Sequence, residues 1–353
     1  MKPAVQPVQR PADARLLIVG PDGAIRHTPR ASWTLALNAG DLVVANDAAT
    51  LPASLSGRHE PSGAAIEARL AARRTLATDD VSFTAVLFGE GDYRTPTERR
   101  APPPVISPGD RLAFGPLRAR VEASLGHHRL IQMAFEGEPA AVWAGIAAHG
   151  APVQYAYMAP PLALWDVWTP IAGPPAAFEP PSAGFVLDWS ALRDLRWQGV
   201  HFATLTHAAG LSSTGDAALD ARLPLPEAYR IPASTVAAIT AARASGGRIV
   251  AIGTTVTRAL EHAARGGRLT PGDGLADQRL GPGAPLRLVD AILSGAHEPG
   301  SSHRELLGAF ADAPALREAD AALQQAGYRT HEFGDSVLVW RSASRQTRAR
   351  RAA

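Results

Sequence analysis

Arg248-Ile-Val-Ala-Ile-Gly-Thr-Thr-Val-Thr-Arg258 is the stretch from which the rest of the chain can be laid out. Ile249 to Ile252 is a short apolar, β-branched run and reads as a buried strand. Gly253 breaks it. A hydroxyl of Thr254 or Thr255 can then accept from an orphan N–H of the turn that follows. Val256 to Ala264 continues as a helix, which Gly266-Gly267 ends. Strand, glycine turn and helix N-terminus together make a seat for an anion or a polar ligand, because the free N–H groups and the positive end of the dipole point the same way. Arg258 and Glu261 lie three apart on one helical face. The same residues also make an ordinary β–turn–α unit with an Arg–Glu pair on its surface, and spacing alone favours that plainer reading.

Working outward, the neighbouring pattern is α/β. Trp189 to Gln198 reads as a helix, His201 to Leu205 as a strand and Pro232 to Ser245 as a helix. Leu286 to Leu293 is a strand or short helix. Ser301 to Phe310 and Leu316 to Ala326 are helical, and Val337 to Trp340 is a last strand. Near the start, Ala14 to Val19 and Asp41 to Ala45 read as strands, and Trp33 to Leu37 as a short helix or strand. The second strand ends in Asn46-Asp47, either at the edge of an open α/β sheet where ligands tend to bind or in a turn stabilised by the Asn and Asp side chains, and local pattern does not choose between them. Between these two α/β portions the pattern changes. From about Gly57 to Gly150, short strand candidates (Ala64 to Ala71, Ser82 to Phe88, Arg111 to Phe114, Ala119 to Ser124, Leu130 to Phe135) alternate with turns, as in a small barrel or sandwich. Arg94 to Pro108 is proline- and arginine-rich and reads as a surface loop. The expected architecture is a discontinuous α/β domain, residues 1–56 plus 151–340, with an inserted small β-barrel domain at 57–150. Residues 341–353, rich in arginine, are expected to be a disordered basic tail.

The 353 residues carry a net charge of only +2, so the total charge gives no strong pull toward nucleic acid. The absence of cysteine excludes disulfides, cysteine-ligated metal sites and a cysteine nucleophile. Met1 to Arg10 lacks the apolar core of a signal peptide, and no run is long enough to span a bilayer. A soluble cytoplasmic protein, working as a monomer, is the expectation. None of the eleven histidines stands at metal-ligand spacing on a clear helix. The Walker loop, Gly-x-Gly-x-x-Gly after a strand and Gly-x-Ser-x-Gly are missing. What remains are polar residues at strand ends and in glycine-rich turns: Ser182-Ala-Gly184, Thr206-His207-Ala-Ala-Gly210, His297-Glu298-Pro299 and Gly334-Asp335-Ser336. A histidine after a strand suits acid–base work, since imidazole titrates near neutrality.

These segments, in this order, resemble the S-adenosylmethionine:tRNA ribosyltransferase-isomerase family of queuosine biosynthesis. Gly40-Asp-Leu-Val-Val-Ala-Asn46 is similar to the family's Gly-Asp-Leu-Leu-Val-Phe-Asn, and Leu51-Pro-Ala-Ser-Leu-Ser-Gly-Arg58 to its Ile-Pro-Ala-Arg-Leu-Phe-Gly-Arg. Ser182-Ala-Gly184 stands for Thr-Ala-Gly, and Gly253-Thr-Thr-Val-Thr-Arg258 with Leu260-Glu261 for Gly-Thr-Thr-Ser-Val-Arg-x-Leu-Glu. His297-x-Pro299 stands for His-Leu-Pro and Phe333-Gly-Asp335 for Tyr-Gly-Asp. The departures are that Asp47-Ala-Ala49 replaces an Asn and a Thr-Arg pair, and Thr206 to Ser213 replaces Leu-His-Val-Gly-Ala-Gly-Thr-Phe, setting His207 one position early. Gly300 replaces a glutamate after the proline, and the family's opening acidic–aromatic segment is missing before Arg15. They mark a divergent member.

The resemblance implies an α/β domain with an inserted barrel, and a reaction in which S-adenosylmethionine is a substrate. Its ribosyl group passes to 7-aminomethyl-7-deazaguanine in the tRNA anticodon loop and becomes an epoxycyclopentanediol, giving epoxyqueuosine. Adenine and methionine leave, without a metal. No membrane and no obligatory protein partner are implied. His297, Asp335 and Arg258 are the catalytic candidates. Gly253, Thr254 and Thr255 would hold a polar ligand end, and Asn46, Ser182 and Gly184 the nucleoside. The alternatives for a divergent paralogue are a non-catalytic RNA- or nucleotide-binding protein, or an enzyme that gives S-adenosylmethionine a different acceptor.

Overall fold

The structure, a computed structural model, describes residues 1–343. Ile249–Ile252 is a strand with every residue buried, and the chain is built around it. In chain order the strands of the main sheet are β1 (Arg15–Val19), β2 (Ile25–Pro29) and β3 (Leu42–Asn46). After the barrel strands β4 to β9 come β10 (His201–His207), β11 (Glu227–Ile231), β12 (Ile249–Ile252), β13 (Gly272–Ala276), β14 (Ala291–Gly295) and β15 (Ser336–Trp340). The nine strands lie in the order β13-β11-β10-β3-β12-β14-β15-β1-β2. β10, β3, β12 and β14 are parallel neighbours, so their carboxyl ends open on one edge. β15 returns antiparallel to β14 and carries β1 parallel to itself.

The sheet is covered on both faces, which is why its central strands are continuous apolar runs rather than alternating ones. Leu42, Val44, Ile249 and Ala251 face a layer that includes α3 (Ala233–Ala244), α4 (Thr254–Ala263) and α5 (Ala313–Gln325) through Ile239, Val256, Leu260 and Leu316. Val43, Ala45, Val250 and Ile252 face Trp33 and the inner side of α2 (Trp189–Trp197) at Ala191 and Leu195. Each β-strand therefore divides its side chains between two cores with period two.

The inserted barrel is closed. Its strands are β4 (Ser54–His59), β5 (Ala65–Ala72), β6 (Ser82–Phe88), β7 (Arg111–Phe114), β8 (Leu117–His127) and β9 (Leu130–Phe135), in the order β8-β9-β6-β5-β4-β7. α1 (Pro139–His149) packs Val142 and Ile146 into the same core. That core runs on into Phe178, Leu211, Leu219 and Leu225, so the barrel is seated on the segments that leave the carboxyl edge of the main sheet. The expected discontinuous α/β domain with an inserted β-barrel is the fold observed.

Some local readings differ. Arg94 to Pro108 is not simply a surface loop. Arg100 is 3% exposed and bonds the Glu67 carboxylate and the Gly91 carbonyl, which draws residues 96–98 in toward the sheet edge. Arg258 and Glu261 do not pair. Both are buried, and the Glu261 carboxylate instead accepts from the N–H groups of Arg287, Leu288 and Val289 at 2.6–2.9 Å, holding these residues as a bent lead-in to β14. Of the expected basic tail, residues 344–353 lie outside the described residues. Arg341 is buried and donates to the Leu286 carbonyl at 2.9 Å. Among the described residues, no helix is long and apolar enough to cross a membrane.

Candidate active site

The carboxyl ends of β3, β10, β12 and β14 meet the barrel-side loops at two joined chambers. The inner one is narrow and is lined by Gly253, Thr254, Thr255, Arg258, Ser182 and Gly210. The outer one has a volume of about 520 Å³ and lies between Thr97–Glu98 of the barrel loop, Tyr155–Tyr157 and His331–Glu332. Glu179, Ser182, Ser212, His297 and His303 line both.

The β12–α4 turn keeps the expected strand, glycine and helix, but Gly253 is itself the N-cap and neither Thr254 nor Thr255 caps the helix with its hydroxyl. Gly253 sits at φ 94°, ψ 161°, a conformation open in practice to glycine alone. A side chain there would also press Ala183 at 3.3 Å. The turn lets Thr254 and Thr255 open the helix at the chamber, with the positive end of its dipole facing inward. Arg258, one turn further on, is committed elsewhere. Its guanidinium is ion-paired with Glu227 and donates to the Ala276 carbonyl at 3.0 Å. Glu227 also accepts from Gly210 N–H at 2.6 Å. A Cβ on residue 210 would meet that carboxylate at 2.9 Å, so the close approach needs glycine. Arg258 thus forms a wall of the inner chamber, neutralised by its partner, rather than a free cation.

His297 is half-buried and stacks on His303 with ring centroids 4.4 Å apart. Burial, reinforced by His303 and His331, pushes His297 well below the usual imidazole range. Burial and the Arg258 charge press His303 to about 4. Both rings are neutral at pH 7, and each offers one donor and one acceptor nitrogen.

The remaining candidates do not reach the chambers. Asp335 is 1% exposed, and its carboxylate accepts from the N–H of Arg15 and of Arg329 at 2.8 Å and from the Arg15 guanidinium at 3.0 Å. It locks β1 to β15. It touches the site only indirectly, through its carbonyl, which accepts from Ala296 N–H beside His297 at 2.8 Å. Asn46 is held mostly by the backbone, accepting from His207 and Ala48 N–H groups and donating to the His207 carbonyl at 3.0 Å, and it reaches the chamber only through a 3.4 Å hydrogen bond to the Thr255 hydroxyl. Gly184 is buried and gives room for Thr169, whose Cγ2 a Cβ would meet at 2.9 Å. His207 is fully buried, and its ring is 3.5 Å from Glu227 without a hydrogen bond to it. Burial and Arg258 push its pKa far down, so the contact is not an ion pair. Asp47 and Thr206, two of the divergent positions, hydrogen-bond one another at 2.6 Å.

Several site residues escaped the sequence reading. Glu179 accepts from the Tyr155 hydroxyl and from Ser212 N–H. Burial pushes its carboxyl up to about 7, with Glu332 adding to the effect and the two hydrogen bonds opposing it. Tyr157 donates to Glu332 and lies flat between Tyr155 and His331, at centroid distances of 5.9 and 4.4 Å. His331 holds φ 69°, an uncommon conformation for a non-glycine residue. The signal available was a glutamate set in an apolar, proline-rich run, Phe178-Glu-Pro-Pro181, a composition in which a charged residue is exceptional. The outer chamber is lined by Glu98, Glu179, Glu298 and Glu332, with no arginine or lysine on its wall among the described residues. It is a seat for a cation that also carries a flat ring. Among the described residues, no cluster of three or more His, Asp or Glu side chains could hold a metal ion.

The chain matches the family model described as "Queuosine biosynthesis protein" over residues 2–339. It is 34% identical over 355 residues to the S-adenosylmethionine:tRNA ribosyltransferase-isomerase of Methylobacterium radiotolerans, covering 96% of this chain and 94% of that protein. It is also 34% identical to the protein of that name in Anaeromyxobacter dehalogenans, covering 94% of each. Its fold is similar to the crystal structure of the S-adenosylmethionine tRNA ribosyltransferase from Thermotoga maritima, with TM-score 0.50, 24% identity and 95% of each chain covered. An α/β sheet with an inserted closed barrel, strand-end segments in the family's order and this extent of likeness lead to one assignment: the chain belongs to the queuosine biosynthesis family that contains the S-adenosylmethionine:tRNA ribosyltransferase-isomerases.

Proposed function

We propose that this protein transfers and isomerises the ribosyl group of S-adenosylmethionine onto 7-aminomethyl-7-deazaguanine in a tRNA anticodon loop, forming epoxyqueuosine in the cytoplasm. The observation that carries the reading is the outer chamber: four glutamates, stacked aromatic rings and, among the described residues, no arginine or lysine on its wall. That lining suits a sulfonium joined to a nucleoside, and equally the cationic aminomethyl group of the acceptor base. A volume of about 520 Å³ is in the range of small-ligand sites. The inner chamber, at the N-terminus of α4, suits the anionic or hydroxylated end of the same ligand. His297 and His303, as neutral rings, donate to or accept from the purine. Ser182, Thr254 and Thr255 add hydroxyls, and Arg258 with Glu227 keeps the inner wall in shape.

The experiment separates charge from shape. S-Adenosylmethionine is expected to raise the melting temperature several degrees more than S-adenosylhomocysteine, whose sulfur is neutral, at equal concentration. Equal shifts from both would contradict a site built around a sulfonium. A different acceptor is the second reading. It is favoured by the sealed His207 and the Asp47–Thr206 hydrogen bond, at positions where the sequence departs from the family's pattern.

A further inference from the structure

Glu179 stands where the two chambers meet, and its backbone is held from both sides. Phe178 N–H donates to the Ala209 carbonyl at 2.7 Å, and the Phe178 ring is fully buried in the barrel core. Pro180-Pro181 follows and limits the chain's freedom. One carboxylate oxygen accepts from the Tyr155 hydroxyl, which also reaches the Ser213 carbonyl at 3.1 Å, and the other accepts from Ser212 N–H at 3.0 Å. Among the described residues, its hydrogen-bond partners include no guanidinium. The other glutamates lining the chambers differ in this respect or in depth: Glu227 is paired with Arg258, Glu98 and Glu298 are exposed, and Glu332 is only half-buried. Around Glu179 stand the Tyr155 and Tyr157 hydroxyls and the Glu332 carboxylate. Across the chambers are the His297, His303 and His331 rings, and at the inner end is the Glu227–Arg258 pair. Arg69, behind the Tyr155 ring at 5.6 Å, is paired with Glu67.

Resting on the reading above, we propose that Glu179 is the base that removes the proton from C5′ of S-adenosylmethionine, and the acid that then protonates the departing adenine. In the first step the C5′–H bond breaks. Its electron pair stays on carbon next to the positive sulfur, and the proton forms an O–H bond with Glu179. In the second, the bond from C1′ to adenine breaks, its electron pair goes to the purine nitrogen, where Glu179 returns the proton, and a lone pair of the ring oxygen fills the vacancy at C1′ as an oxocarbenium that balances the carbanion at C5′. The residue ends as it began, a carboxylate. Two features of the structure fit this alternation. The Tyr155 hydroxyl, whose pKa burial holds well above 10, donates in both states. The Glu179 carboxyl, pushed up to about 7, accepts and releases a proton near neutrality.

The test uses the full-length protein with S-adenosylmethionine and tRNA carrying 7-aminomethyl-7-deazaguanine. Glu179→Gln keeps the shape and is expected to lower kcat for adenine release by roughly 10²–10⁴-fold, with KM for S-adenosylmethionine within about threefold. In D₂O the wild type is expected to exchange C5′ hydrogens with solvent and Glu179→Gln to exchange none. The wild-type kcat should rise with pH through about 7, and Tyr155→Phe, which removes a hydrogen bond to the carboxylate, should move that limb to higher pH. Glu179→Gln retaining more than a tenth of wild-type kcat with the same limb would overturn the assignment. So would a wild type that binds S-adenosylmethionine but exchanges no C5′ hydrogen. Absence of adenine release from the wild type counts instead against the proposed function itself.

Discussion

Glu227→Ala is expected to lower the free energy of unfolding by about 3–5 kcal/mol, because it strands a buried charge. Arg258 is 4% exposed, and Glu227 is the only carboxylate that its guanidinium meets among the described residues. The truncation also frees Gly210 N–H, which lies at 2.6 Å from Glu227. The cost comes from what is left unpaired rather than from the worth of the pair. Replacing both members together, Glu227→Leu with Arg258→Met, is therefore expected to recover most of the loss. Urea unfolding at one temperature measures both. A single-variant loss below about 1 kcal/mol would show that water reaches Arg258, against the buried wall described here. The same reasoning makes Arg258→Ala first a stability variant, and lost turnover in it does not prove contact with substrate.

Acidification is the second large effect. His207, His297 and His303 all have folded pKa values below 6.5, His303 at about 4. As pH falls, the unfolded chain takes up these protons first, so stability falls between roughly pH 7 and pH 4. His303 alone accounts for up to about 3 kcal/mol of this, and for less in proportion as cavity water solvates its ring. Glu179 works the other way. Its folded pKa of about 7 lies above the ordinary 4.5, so over the same window the folded state holds the extra proton and gains stability. Three rings against one carboxyl leave a net loss of stability between pH 7 and pH 5. His303→Gln, which cannot charge, is expected to shrink that loss by a third or more. Urea midpoints at the two pH values check it, and a stability that is flat or rises on acidification would contradict the neutral, buried state of the rings.

Much of the fold was legible because the main sheet is buried on both faces. Ile249 to Ile252 and Leu42 to Ala45 are apolar runs whose only stable place is a covered sheet, and the change to short alternating strands marked the barrel. Less regular strands were missed. Glu227–Ile231 and Gly272–Ala276 lie at one side of the sheet, and Gly272–Ala276 carries glycine and aspartate that local preference assigns to turns. The candidate site was legible where its wall is a local motif, as at Gly253-Thr-Thr255. It was illegible where distant segments meet. Nothing near Asp335 in sequence announces that Arg15 will claim it, and nothing near Arg258 points to Glu227, 31 residues away. Glu179 and Tyr155 lie in proline-rich stretches without periodicity, and their pairing arises only when the barrel is seated on the sheet.

The central claim, that a sulfonium nucleoside is split in these chambers for transfer to tRNA, is tested most directly by coupling two readings in one reaction. Adenine is quantified while the mass of tRNA bearing 7-aminomethyl-7-deazaguanine is followed. The expected result is adenine released in step with a tRNA mass gain equal to the isomerised ribosyl group, and neither when the modified tRNA is omitted. Adenine released at the same rate without tRNA, or a tRNA that gains only a methyl group, would contradict the account.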